Sequence, residues 1–196
     1  MPRLGRPPAT RGVWSFEDTA VPLPQTVLLD TSFVFEALSP PQPLHVPATN
    51  YLIRLATERI PVVYSAMLDL ELAEVSFQVA LKERFSRDWR RYRHDGRARR
   101  RASRLMDEVA AAWGETVRYL DDTRVDISSV EHEVTGLMTK FGLASYDAVH
   151  AATALRANVS AIVTLDAGFA SIPRRVMGLV VDSSRLARCR QIRARG

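Results

Sequence analysis

The chain has 196 residues, of which 46% are hydrophobic and 25% charged, a composition that suits one globular domain with appendages. No apolar run approaches the roughly 20 residues of a membrane span, and Met1-Pro-Arg-Leu-Gly-Arg-Pro-Pro has no apolar core of the kind a secretory signal carries. Cys189 is the single cysteine, which excludes an internal disulfide or a cysteine metal cluster and makes a reducing cytoplasm the expected setting. Net charge is +5 and unevenly spread: from Lys82 to Arg104 there are 11 Lys or Arg against 3 Asp or Glu. That local balance of +8 leaves the rest of the chain at −3, and such a patch suits a polyanion.

Residues 1–24 hold five of the eleven prolines and no periodicity, which predicts an extended or disordered arm. Thr26-Val-Leu-Leu-Asp30 is an apolar run too short for a helix, read as a buried parallel strand ending at a carboxylate. Phe33 to Leu38 reads as a short helix stopped by Pro40-Pro41. A second helix is expected over about 48–59, with Tyr51, Leu52, Leu55 and Ala56 on one face, and Pro61-Val-Val-Tyr64 as the next strand. Ser65 then caps a long helix that carries Glu71, whose neighbours three and four residues away include no cation. Gly96 divides the basic stretch into two helices, the second over about 98–120. A third strand is expected at Arg124–Ile127, with Ser128 and Glu131 as a capping box for the helix after it. Ser145 reads as the N-cap of a helix of small apolar residues, with Asp147 in its first turn. A fourth strand, Ala161-Ile-Val-Thr164, ends in Leu-Asp166, a fifth is Gly178–Val181, and 185–196 reads as a basic tail.

Strand and helix alternate throughout, which predicts an α/β three-layer sandwich over 25–184 with a mostly parallel sheet and an expanded basic helical region at 82–121, between the second and third strands. In such sheets ligands bind beyond the carboxyl ends of the strands, where Asp30 and Asp166 fall. Glu71 and Asp147, on helices, can face the same crevice. Four gathered carboxylates repel one another unless a cation joins them, and hard oxygen donors in that number suit Mg²⁺ or Mn²⁺.

Four segments together resemble the PIN-domain nucleases, most closely the VapC-type toxin ribonucleases of bacterial toxin-antitoxin modules. They are Leu-Leu-Asp30-Thr-Ser, Ser65-Ala-Met-Leu-Asp-Leu-Glu71-Leu, Ser145-Tyr-Asp147-Ala-Val-His-Ala-Ala-Thr-Ala154 and Val-Thr164-Leu-Asp166-Ala-Gly-Phe169, in an order and spacing covering about residues 26–182. The resemblance implies a cytoplasmic metal-dependent endoribonuclease with Asp30, Glu71, Asp147 and Asp166 as catalytic metal ligands. Thr31, Ser32 and Thr164 would be supporting hydroxyls. It also implies products with a 5′-phosphate and a 3′-hydroxyl, a small antitoxin partner, a homodimer and no membrane. Arg90, Arg91, Arg93, Arg97, Arg99, Arg100, Arg101 and Arg104 are the expected contacts to an RNA backbone, which bind phosphate without reading bases. Trp89 and Tyr92 are expected to pack between helices, and His150 to be a buried packing residue. A nucleic-acid-binding protein with a degenerate site and a DNA-directed nuclease stand as alternatives. A haloacid-dehalogenase-type phosphatase expects a second Asp where this chain has Ser32.

Overall fold

The structure is a computed structural model and describes residues 12–195. Its centre is a six-stranded sheet, every adjacent pair parallel, in the order β1-β6-β5-β2-β3-β4. The strands are β1 (Val13–Ser15), β2 (Val27–Leu29), β3 (Pro61–Ser65), β4 (Asp121–Val125), β5 (Ala161–Val163) and β6 (Gly178–Val181). The central strands β2, β5 and β6 are buried at every position, which is why their sequences are unbroken apolar runs rather than alternating ones. Seven helices cover the sheet: α1 (Thr31–Leu38), α2 (His45–Thr57), α3 (Met67–Phe85), α4 (Gly96–Val117), α5 (Glu131–Phe141), α6 (Ser145–Arg156) and α7 (Ser183–Arg195).

Two apolar clusters lie on opposite faces of the sheet. Alternate residues of β2 divide between them: Val27 and Leu29 pack with Phe33, Tyr51 and Leu55 from α1 and α2, whereas Leu28 packs with Ala148, Ala151 and Ala152 from α6. The alanine-rich face of α6 lets that helix lie close on the sheet, and Ala148 and Ala151 are fully buried. These layers confirm the α/β sandwich. No helix among the described residues is long and apolar enough to cross a membrane.

Several local expectations are corrected. The proline-rich arm expected over residues 1–24 falls partly outside the described residues, at 1–11. Its described part is anchored. Val13–Ser15 pairs with Leu179–Val181 as the sheet's edge strand, and Phe16, 2% exposed, meets Phe33 edge to face at 5.3 Å. Three residues that pair only with a strand far along the chain leave no local pattern. The basic tail expected over 185–196 is instead the helix α7 as far as Arg195, fixed by the buried Cys189. The third strand begins at Asp121 rather than Arg124, in register with Pro61–Ser65, and four of its five residues are exposed, so it shows no apolar run.

The capping box at Ser128 and Glu131 does not form. Asp126 accepts the Ser128 N–H at 2.9 Å and caps a 3-10 turn, Ile127–Ser129, that precedes α5. Ser145 is the first residue of its helix, not the cap, which falls on Ala144. Gly96 does divide the basic stretch: Asp95 caps α4 by accepting the Ala98 N–H at 2.8 Å, after a 3-10 segment, Ser86–Tyr92.

Candidate active site

Asp30 ends β2 and caps α1, so the structural and functional readings of this residue hold together. Its Oδ2 accepts from the Ser32 N–H at 3.3 Å, the Ser32 hydroxyl at 2.5 Å and the Thr164 hydroxyl at 2.7 Å. All three hydrogen bonds fall on one oxygen. Oδ1 is left with His150 Nε2 as its charged neighbour, at 3.8 Å.

The hydroxyls also join two strand ends. Ser32 Oγ accepts the Leu165 N–H at 2.9 Å and Thr164 Oγ1 accepts the Asp166 N–H at 2.8 Å, so the segment after β5 is held against the start of α1. This fixes the backbone of Asp166 relative to the Asp30 carboxylate. Asp166 in turn accepts the Gly168 N–H at 2.7 Å, which caps the next 3-10 turn. A Cβ on Gly168 would stand 3.1 Å from Asp166 Oδ1 and 3.8 Å from Asp147 Oδ2, so the glycine leaves room for both carboxylates.

Glu71, one turn into α3, is held from both sides of the crevice. Its Oε2 accepts from the Thr31 hydroxyl at 2.5 Å and pairs with His150 Nε2 at 2.6 Å. His150 is fully buried, and its Nδ1 has no hydrogen-bond partner. The expectation of a merely packing histidine is therefore incomplete, because this ring supplies the hydrogen-bond partner that Glu71 lacks on its own helix. Burial opposes charging of the ring, but the hydrogen bond to Glu71 and the charges of Asp30, Glu71 and Asp147 outweigh it, and the His150 pKa lies above its usual value. The only sequence signal was the spacing of one turn from Asp147, which put both residues on one side of α6.

Asp30, Glu71, Asp147 and Asp166 line one crevice of about 260 Å³ together with Thr31, Ser32, Glu74 and Tyr146. Their fields are felt. Burial, then Asp166 and Asp30, push the Asp147 carboxyl up to about 6, with His150 pulling the other way. Among the described residues no three His, Cys, Asp or Glu side chains stand close enough to hold a metal ion as they are placed. Two of the acids are engaged elsewhere: Asp30 Oδ2 by hydroxyls, Glu71 Oε2 by Thr31 and His150. Mutual repulsion keeps anionic groups apart. By donor type and shared crevice the four suit a hard divalent cation.

The eight arginines expected to contact RNA differ in their surroundings. Arg97, Arg100, Arg101 and Arg104 line a cavity with Arg84, whereas Arg99 does not. Arg90 stacks on Trp89 at 5.0 Å, Arg91 pairs with Asp88 at 3.7 Å and Arg93 lies over Phe77 at 5.8 Å. Tyr92 stacks on Phe85, centroids 4.1 Å apart, but stays exposed rather than packed between helices.

The four acids thus line one crevice at the carboxyl ends of parallel strands, where open α/β sheets bind their ligands. The model of the PIN domain family matches residues 27–175, most of the sheet and all four acids, and the chain belongs to that family. PIN domains are nucleases, typically metal-dependent ones, and that activity class extends to this chain. No curated protein matches it.

Proposed function

We propose that the protein is a Mg²⁺- or Mn²⁺-dependent endoribonuclease, the toxin of a VapBC-type toxin-antitoxin pair. The observation that carries this reading is the convergence of Asp30, Glu71, Asp147 and Asp166, from four separate segments, on one crevice. Asp30, with Oδ1 facing His150 and the crevice, would be the central ligand, and Glu71, Asp147 and Asp166 would complete the coordination. A divalent ion bound there lowers the pKa of a water, orients the scissile phosphate and stabilises the leaving oxygen.

The chain's own groups prepare that chemistry. Thr164 and Ser32 hold the Asp30 carboxylate in one rotamer through three hydrogen bonds to Oδ2. His150 and Thr31 do the same for Glu71. Hydrolysis of this kind needs no covalent intermediate and leaves a 5′-phosphate and a 3′-hydroxyl. The basic segment offers phosphate contacts that suit a nucleic-acid backbone, and RNA as the substrate follows from the resemblance to the VapC-type ribonucleases. The cognate antitoxin would be a small protein that obstructs the crevice, and the working form a cytoplasmic homodimer.

Incubation of the purified protein with an RNA panel, with and without Mn²⁺, tests the reading. Cleavage of RNA in preference to DNA of the same sequence, lost in Asp30→Ala, is the expected result. Cleavage of DNA alone would overturn the substrate assignment.

A further inference from the structure

The α3–α4 hairpin extends past the carboxylate-bearing edge of the sheet. α3 leaves the carboxyl end of β3, and α4 returns the chain to the amino end of β4, which runs parallel to β3. Trp113 of α4 meets Tyr64 near the end of β3 edge to face, centroids 5.2 Å apart, so α4 reaches the level of that edge only near its own last turn. α3 and α4 run antiparallel, with Leu72, Val75 and Val79 of α3 and Leu105 and Val109 of α4 in the core cluster, and past these residues the ends at Arg84 and Arg97 form an exposed arm. The Arg101–Glu83 pair at 3.2 Å fixes its register.

Charge is concentrated at the far end of that arm. Arg84, Arg97, Arg100, Arg101 and Arg104, with Ser103, line a cavity of about 670 Å³ that contains no apolar residue. Of the five arginines only Arg101 has a carboxylate within ion-pair distance among the described residues. Asp95, two residues from Arg97, accepts the Ala98 N–H as the cap of α4 while also feeling the charges of Arg84 and Arg97. Unneutralised guanidinium groups around one cavity repel each other, and an anion relieves that repulsion. An acidic protein segment would need apolar anchors to bind tightly, which this cavity lacks. A phosphate backbone needs only the fork-shaped donors that arginine presents.

Glu71 and Arg84 are thirteen residues apart on one continuous helix, a separation of about 20 Å along its axis at roughly 1.5 Å per residue. Between them Glu74, Gln78 and Lys82 continue the stripe that begins at Glu71, linked by hydrogen bonds of 3.0 and 3.4 Å. Positive charge thus begins at Lys82, three turns from Glu71 and one turn past Gln78 at the rim of the crevice.

We propose that the arginine cavity is a distal phosphate subsite that holds the RNA backbone while the crevice works on a phosphodiester beside Glu71, about 20 Å away along α3, giving the protein a minimum substrate length. This rests on the RNA-cleaving reading above. At about 3.4 Å per phosphate along a stacked strand the span is roughly six nucleotides. A stacked strand shorter than this reaches the crevice or the arginines, not both.

The test is fluorescence anisotropy with labelled single-stranded RNAs of four, eight and sixteen nucleotides, in Ca²⁺, for the wild type and for Arg97→Gln/Arg100→Gln/Arg104→Gln. The expected gain in affinity from four to sixteen nucleotides is at least ten times larger in the wild type. For the sixteen-nucleotide RNA the salt dependence in the variant is shallower by about 2, since each lost phosphate contact removes about 0.7 from the slope. Melting followed by circular dichroism is expected to be unaltered, because the three side chains are exposed. Equal length dependence and equal slopes in the two proteins would overturn the subsite, even with RNA cleavage intact, and would be the outcome if the arginines served an acidic protein. Absence of both binding and cleavage for every length in the wild type would instead overturn the ribonuclease reading, and the subsite with it.

Discussion

Replacing Asp147 with Asn is expected to stabilise the metal-free protein at alkaline pH. The carboxyl is pushed from its ordinary value of 3.8 up to about 6 by burial and by Asp166 and Asp30. A carboxyl whose pKa is raised on folding holds its proton in the folded chain where the unfolded chain releases it. Stability therefore falls as pH rises from about 4 to 6, and the full cost stands above that range. At about 1.36 kcal/mol per pH unit the interval from 3.8 to about 6 corresponds to about 3 kcal/mol. Solvent reaches this half-buried side chain, and screening reduces the net cost to about 1–2 kcal/mol. Asn keeps the shape and removes the charge. Urea unfolding in EDTA at pH 8 should show Asp147→Asn more stable by that amount, with the difference shrinking toward zero at pH 4. Saturating Mn²⁺ at pH 8 should abolish the advantage, since the wild type alone then has its full set of charged donors. A variant no more stable at pH 8 than at pH 4, each relative to wild type, would refute the idea that these carboxylates burden one another.

Two other substitutions probe the framework. His150→Leu should cost about 1–3 kcal/mol in urea unfolding, because Glu71 Oε2 loses its 2.6 Å partner and remains largely buried; unchanged stability would mean that the pair holds nothing in place. Gly178→Ala should destabilise by about 1–3 kcal/mol, because its Cβ would lie 2.7 Å from the Trp14 ring, 3.0 Å from the Ser160 carbonyl and 3.1 Å from Ala161 Cβ. A thermal melt unaffected by that change would argue that β1 does not sit on β6.

The acids were legible in the sequence because each follows a signal that needs no partner. Asp30 and Asp166 follow apolar runs too short for helices, and Asp147 falls in the first turn of a helix whose small residues mark a face packed on the sheet. What stayed hidden depends on pairing across the chain. Val13–Ser15 is a strand only because Leu179–Val181 lies beside it. Glu71 looked unpaired because its partner is His150, on a helix far along the sequence. Asp121–Val125 escaped in part because an edge strand needs no apolar face when most of it meets water. The basic stretch announced a polyanion, but not that five of its arginines would close around one cavity while Arg90 and Arg93 spread over aromatic rings. Charge counts report composition, whereas which guanidinium groups remain unneutralised is decided by the register of α3 against α4.

The central claim is that the four carboxylates act through a shared divalent ion. It is tested most directly by following cleavage of a labelled RNA by the wild type and by Asp30→Ala, each with Mn²⁺ and with EDTA, alongside circular dichroism of both proteins. Cleavage by the wild type in Mn²⁺ alone, with Asp30→Ala folded but inactive, is the predicted result. RNA cleavage that persists undiminished in EDTA, or in folded Asp30→Ala, would contradict it.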